Sequence, residues 1–89
     1  MKETKKLEKV LRTLGNRRRL TILGFLKKGN KLKVGEIASA LRLSFNATSQ
    51  HLIALYNVDI LDKEQKSLEV YYRLANDLPK IVREVLNEL

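Results

Sequence analysis

Two amide side chains, Asn46 and Gln50, lie four residues apart near the middle of the chain. An amide donates and accepts hydrogen bonds at once, which matches the N6 and N7 positions of adenine in the major groove of DNA. Ser49 lies beside them and can bond either a base edge or a phosphate. Asn46, Ser49 and Gln50 are therefore candidate base-reading residues; the alternative is an ordinary solvent-exposed polar face.

A helix must present these side chains, because residues four apart share one helical face. Ser44 is a good N-cap for it, and the residues that would form its apolar side are Phe45, Thr48, Leu52, Leu55 and Tyr56. A shorter amphipathic segment comes first, and the two meet at the turn 42–44. Residues 35–56 are thus predicted to form a helix-turn-helix, whose second helix (44–56) enters the major groove.

The basic charge lies mostly ahead of this motif. The net charge is +8, and residues 1–33 contain twelve Lys or Arg against two Glu, whereas residues 34–89 contain six against eight acidic residues. Such a balance indicates a polyanionic partner. Arg17 and Arg18, with free backbone N–H groups at a helix start, are expected to contact DNA phosphates.

Further side chains beside the motif or on the hairpin that follows it could contact the DNA backbone. With the two arginines, the candidates for backbone or wing contacts are Arg17, Arg18, Lys31, Lys33, Arg42, His51, Lys63 and Lys66. Two interpretations of His51 remain open: it contacts phosphate, or it fills the seam between helix and wing. Ile53 either meets a thymine methyl group or is an isolated exposed apolar residue.

The other elements follow from periodicity and turn signals. Helices are predicted over 3–14 and 17–28, the latter with Leu20, Leu23, Phe25 and Leu26 on its apolar side. Lys31–Val34 is either a very short strand or a lead-in, and residues 60–74 form a hairpin wing with its turn at 65–67. A last helix, 77–89, is capped by Asn76 or Asp77. The fold class is mainly α with a small β-hairpin wing: one winged helix-turn-helix domain, residues 1–89, in the order α-α-α-α-β-β-α.

The terminal helices, 3–14 and 77–89, carry broad apolar stripes. A domain of 89 residues without cysteine has a thin core, so dimerisation is an expected source of stability. The residues expected at the dimer interface are Leu7, Leu11, Ile81, Val82, Val85 and Leu89.

The chain has no constellation typical of an enzyme. It contains no cysteine and one histidine, and we find no Gly-rich phosphate loop, so we expect neither catalysis nor a cofactor, and no thiol switch. No apolar run is long enough to cross a membrane, and the N-terminus does not resemble a signal peptide. The expected location is therefore cytoplasmic.

Four segments taken in order resemble the ArsR-type (arsenic-repressor-like) winged-helix regulators. They are Leu14–Leu23, Glu36–Ser44, Ser49–Leu55 and Val70–Leu74. The resemblance implies a homodimeric transcriptional repressor, whose first and last helices form the dimer and whose fourth helix reads DNA.

The chain departs from that family at positions that matter for sensing. Lys33 and Gly35 occupy the positions of a metal-binding Cys-x-Cys pair, and residues 76–89 contain no histidine. No metal site is therefore expected. Asp59 replaces the usual glycine after the fourth helix, but Asp tolerates the left-handed conformation better than most residues. Arg17 replaces a frequent proline. Arg19 matches the Arg-Leu pair of the family, and the resemblance therefore implies a structural role for it.

The leading hypothesis is a homodimeric, sequence-specific repressor that binds double-stranded DNA at an inverted repeat. The alternative is a winged-helix module that binds protein or RNA, and the uncharged reading face fits that possibility better than a lysine-rich one would. Binding to duplex DNA distinguishes the two.

Overall fold

A computed structural model describes residues 2–89, which form five helices and three strands. These are α1 (Lys2–Leu14), α2 (Arg17–Leu26), β1 (Leu32–Lys33), α3 (Val34–Leu41), α4 (Phe45–Asn57), β2 (Leu61–Lys66), β3 (Glu69–Leu74) and α5 (Lys80–Asn87). The predicted winged helix-turn-helix is confirmed. None of the helices in this part of the chain is both long and apolar enough to span a membrane.

The core lies where α2, α3 and α4 pack together over the sheet. Its fully buried members are Ile22, Leu23, Leu26, Ile37, Leu52, Leu55, Ile60 and Val82. The prediction for α2 was partly wrong, because Ile22 is buried whereas Leu20 and Phe25 are only half-buried. Ile22, Leu23 and Leu26 also share a helical face. This face packs against α4, whereas the predicted face, which includes Leu20 and Phe25, does not become fully buried.

Polar side chains fix the helix starts around the motif. The Asn16 side chain accepts hydrogen bonds from the backbone N–H groups of Arg18 and Arg19, at 3.0 and 3.2 Å. The Ser44 hydroxyl accepts one from Ala47 at 3.1 Å, so both predicted N-caps are confirmed. Arg42 (φ 55°) ends α3 in the left-handed conformation, and Asp59 (φ 63°) follows α4 in the same conformation.

The wing is part of a three-stranded antiparallel sheet in the order β1-β3-β2. The short-strand interpretation of residues 31–34 is therefore confirmed. The turn is not at 65–67, since β2 continues to Lys66, which pairs with Glu69. Ser67 and Leu68 form the tip, and Ser67 (φ 55°) adopts the positive φ that two-residue hairpin loops need and that glycine usually provides.

The last helix begins later than predicted. Pro79 is its N-cap, and its carbonyl accepts hydrogen bonds from the N–H groups of Val82 and Arg83, so the expected caps Asn76 and Asp77 lie outside the helix. The apolar residues of this last segment fall into two groups that differ in burial. Leu78, Val82 and Leu86 are buried in the core, whereas Ile81 and Val85 are half-buried and Leu89 is exposed.

Candidate nucleic-acid interface

The fourth helix presents the predicted polar face to solvent because its opposite face is buried. Thr48, Leu52 and Leu55 are fully buried. The Thr48 hydroxyl is satisfied by donating to the Ser44 carbonyl at 2.9 Å. Asn46 and Gln50 are exposed on the other side, and Ser49 is half-buried on the flank. All three candidate base-reading residues thus belong to one rigid helix.

The spacing of Phe45 predicts that it belongs to the apolar side of α4, and this prediction is wrong. Its side chain is 58% exposed. Phe45 is the first residue of the helix, and the buried part of the helix begins only at Thr48, so the ring lies at the edge of the core. Periodicity alone could not reveal this exposure, since it depends on how far the helix projects beyond its neighbours.

Arg19 connects three helices. Its Nη1 donates to the Thr13 carbonyl of α1 at 3.2 Å, and its Nε donates to Nδ1 of His51 in α4 at 3.2 Å. Arg19 is thus structural, as interpreted from the sequence. The partner of His51 is in α2 and not in the wing, so the expected seam with the wing is wrong. Because Nδ1 accepts this bond, the His51 proton must be on Nε2.

The environment of His51 favours its neutral form. Burial lowers the pKa of His51 below its ordinary value of 6.5, and the charges of Arg19 and Arg18 lower it further. A protonated ring would lose the Arg19 hydrogen bond, since an imidazolium has no acceptor nitrogen.

We therefore expect acidification to weaken the fold through this residue. Below about pH 6.5 the unfolded chain binds the His51 proton more readily than the folded protein, so the free energy of unfolding falls as the pH falls toward the folded pKa. Urea unfolding from pH 7.5 to 5.5 checks this, with His51→Gln as the matched control, because a glutamine oxygen can still accept from Arg19. On acidification the free energy of unfolding should fall more for the wild type than for His51→Gln. Parallel curves of this free energy against pH would contradict the expectation.

The side chains of Arg17 and Arg18 are exposed at the start of α2. One part of the expectation for them is wrong: the N–H groups of Arg18 and Arg19 are not free, because the Asn16 cap already binds them. The guanidinium groups of Arg17 and Arg18 therefore remain the main candidates for phosphate contact here.

Three of the candidate lysines are already paired with carboxylates of the wing. Lys31 contacts Glu64 at 2.8 Å, Lys33 contacts Glu69 at 3.1 Å, and Lys66 lies 4.0 Å from Glu64. The hydrogen bond between Lys31 and Glu64 raises the pKa of the lysine and lowers that of the glutamate. The bond to Glu69 similarly raises the pKa of Lys33. Sequence reasoning missed these pairs because they depend on the strand register, which the misplaced turn concealed.

The remaining two cations differ in their surroundings. The Lys63 ammonium lies 4.5 Å from the centroid of the Tyr56 ring, a cation–π contact that directs it toward the end of α4. Arg42 is exposed in the turn between α3 and α4. Over residues 2–89, no three His, Cys, Asp or Glu side chains come together in a group that could hold a metal ion.

A second surface lies on the terminal helices. Leu7 and Leu11 of α1 are each 46% exposed and Leu89 is 42% exposed. Leu7 and Ile81 line one apolar groove between α1 and the start of α5. Val82 is completely buried in the monomer, so its predicted place in a dimer interface is wrong, because a side chain that fills the core cannot also contact a partner.

This fold, in which α3 and α4 form a helix-turn-helix and a β-hairpin follows α4, defines a winged helix-turn-helix domain. Residues 16–63 match the family described as "Bacterial regulatory protein, arsR family". The transcriptional activator HlyU of Vibrio cholerae is 36% identical over 99% of this chain and 81% of its own length. The transcriptional repressor PagR of Bacillus anthracis is 30% identical over 90% and 80%. The chain therefore belongs to the ArsR family and is a transcriptional regulator rather than an enzyme.

Solved structures agree with this assignment. HlyU of Vibrio cholerae superposes with a TM-score of 0.81 at 33% identity, covering 98% of this chain and 90% of that one. The homodimeric winged helix-turn-helix DNA-binding domain of Mb0332 from Mycobacterium bovis has a TM-score of 0.80 at 26% identity, covering 96% and 75%. The fold and family implied by the four sequence segments are thus confirmed.

Proposed function

We propose that this protein is a cytoplasmic homodimeric repressor that binds an inverted-repeat operator through two α4 helices. The observation that carries the proposal is the face of α4: Asn46 and Gln50 are exposed on a helix whose opposite side is anchored by buried Thr48, Leu52 and Leu55. Amide groups on such a helix suit adenine edges in the major groove.

The wider charge distribution supports DNA as the ligand. The α4 face has no formal charge, so affinity must come from cations around it. Arg17, Arg18 and Arg42 are exposed, whereas Lys31 and Lys33 must leave Glu64 and Glu69 before they can bind phosphate. We assign the main phosphate contacts to the arginines, with the Nε2–H of His51 as a further donor.

The dimer is supported by the exposed Leu7 and Leu11 of α1, by the exposed Leu89 just after α5, and by the homodimeric state of the Mb0332 domain. Repression is supported by the likeness to PagR, a named repressor, whereas HlyU is a named activator. A reporter gene placed behind the selected operator distinguishes the two outcomes.

Selection of sequences from a random DNA pool, followed by binding measurements over a salt series, tests the proposal. The affinity should fall steeply with salt because bound phosphates release counterions. Arg17→Ala should reduce the slope of log K against log salt by roughly two for the dimer, about one for each lost contact. It should weaken operator and random duplex alike.

Lys33→Ala is the matched control, since this lysine already has a carboxylate partner and should change the slope less. A flat salt response, or no enrichment of any sequence, would contradict DNA binding and favour a protein-binding or RNA-binding module.

A further inference from the structure

An exposed aromatic ring lies at the leading end of the predicted reading helix. Phe45 is the first residue of α4 and is 58% exposed. Ser49 is its i+4 neighbour and lies on the same flank of the helix. The ring is therefore continuous with the face that contains the candidate base-reading residues.

The ring forms one wall of a cleft of about 210 Å³ between the helix-turn-helix and the wing. The rest of its lining comes from the start of α3, from Ser49 of α4 and from the sheet: Lys33, Val34, Gly35, Ser49, Leu68, Glu69, Val70 and Tyr72. Several of these side chains are apolar, and Leu68 at the wing tip is 96% exposed. The ring therefore lies beside a partly apolar cleft, whose lining also includes the ion pair between Lys33 and Glu69.

We propose that Phe45 is a specificity-determining residue that contacts the 5-methyl group of a thymine in each operator half-site. The N-terminal residues of a recognition helix are the ones that reach base edges. A phenyl ring cannot accept or donate a conventional hydrogen bond, and thymine is the base that presents an apolar group in the major groove. This inference rests on the proposed function, in which α4 enters that groove.

The neighbouring residues determine what the half-site should contain. Asn46 follows Phe45 directly, and its amide suits adenine. If the ring contacts a thymine methyl group and the adjacent amide binds adenine, the half-site should contain adjacent A·T pairs where the start of α4 meets the groove. Ile53 is the rival for methyl contact, because it is 43% exposed on the same helix. It lies eight residues further on, about 12 Å along the axis, away from the end that reads bases.

Deoxyuridine substitution isolates the methyl group, because it removes the 5-methyl and leaves the hydrogen-bonding pattern intact. The full chain is first used to select an operator from random duplex DNA. Each thymine is then replaced by deoxyuridine symmetrically in both half-sites, and the Kd of wild type, Phe45→Ala and Ile53→Ala is measured by fluorescence anisotropy.

At one thymine position per half-site, wild type should lose about fourfold in affinity for each methyl, roughly 15-fold for the symmetric pair. Phe45→Ala should bind the unmodified operator more weakly and show no further loss at that position. Ile53→Ala should respond as wild type does. Because Phe45 is exposed, its replacement should leave the circular dichroism spectrum and Tm unchanged, and Phe45→Leu should restore part of the methyl dependence.

An undiminished methyl effect in Phe45→Ala, its disappearance in Ile53→Ala, or operator binding that ignores every deoxyuridine would each overturn the inference while leaving operator recognition intact. Failure to bind any duplex DNA would instead overturn the proposed function and this inference with it.

Discussion

Replacing Gln50 by alanine should weaken operator binding by roughly 1–3 kcal/mol while leaving the affinity for random duplex nearly unchanged. Gln50 is exposed at the centre of the outward α4 face, so the change removes hydrogen-bonding capacity without opening a cavity in the core. An adenine edge that loses a bidentate amide partner must bond water instead, and that difference appears only on the specific sequence. Asn46→Ala should give an effect of similar size.

Asn57→Ala is the matched control for this experiment. Asn57 has an amide side chain like those of Asn46 and Gln50, and it is also exposed. It is the last residue of the same helix, about 16 Å along the axis from Asn46. Competition binding on the selected operator and on random duplex, at one fixed salt concentration, measures the ratio of the two affinities. Equal losses on both DNAs would contradict base reading and assign Gln50 to general surface contact.

Structural properties that depend on neighbouring residues can be predicted from the sequence better than properties that tertiary packing decides. The Asn16 and Ser44 caps, the αL turn at Asp59 and the order of the elements depend on neighbouring residues, and the structure confirms them. Family membership likewise follows from short segments in register, and the match over residues 16–63 confirms it.

Two errors are local, namely the position of the wing turn and the N-cap of the last helix. The other errors concern properties that tertiary packing decides. Periodicity placed Phe45 and Val82 on apolar faces, but it could not tell that the first lies beyond the edge of the core and the second fills it. The sequence does not identify the carboxylates that pair with Lys31 and Lys33, because Glu64 and Glu69 are distant in sequence and meet the lysines only through the sheet. Strand register, not composition, therefore decides which of these cations are paired with carboxylates.

Leu7→Glu should convert the protein to a folded monomer and reduce operator affinity by at least roughly 100-fold. Leu7 is 46% exposed, so a charge there is tolerated in the monomer, but a two-fold symmetric interface would contain the substitution twice. A monomer binds only one half-site and forfeits the effective concentration that links the second, which contributes 10²–10⁴-fold in bivalent systems. Val85→Glu, from the half-buried part of α5, should behave in the same way.

Two controls separate loss of the dimer from loss of the fold. Val82→Ala, in the same helix, should lower the free energy of unfolding by roughly 2 kcal/mol and leave the dimer intact, because Val82 is fully buried. Asn87→Glu should introduce the same charge as Val85→Glu on an exposed part of α5 and change neither property. Sedimentation velocity at micromolar concentration, combined with urea unfolding, measures both. A Leu7→Glu protein that still sediments as a dimer, or a wild type that sediments as a monomer, would show that α1 and α5 do not form a dimer interface. The proposed spacing of the two α4 helices on DNA would then have no structural basis.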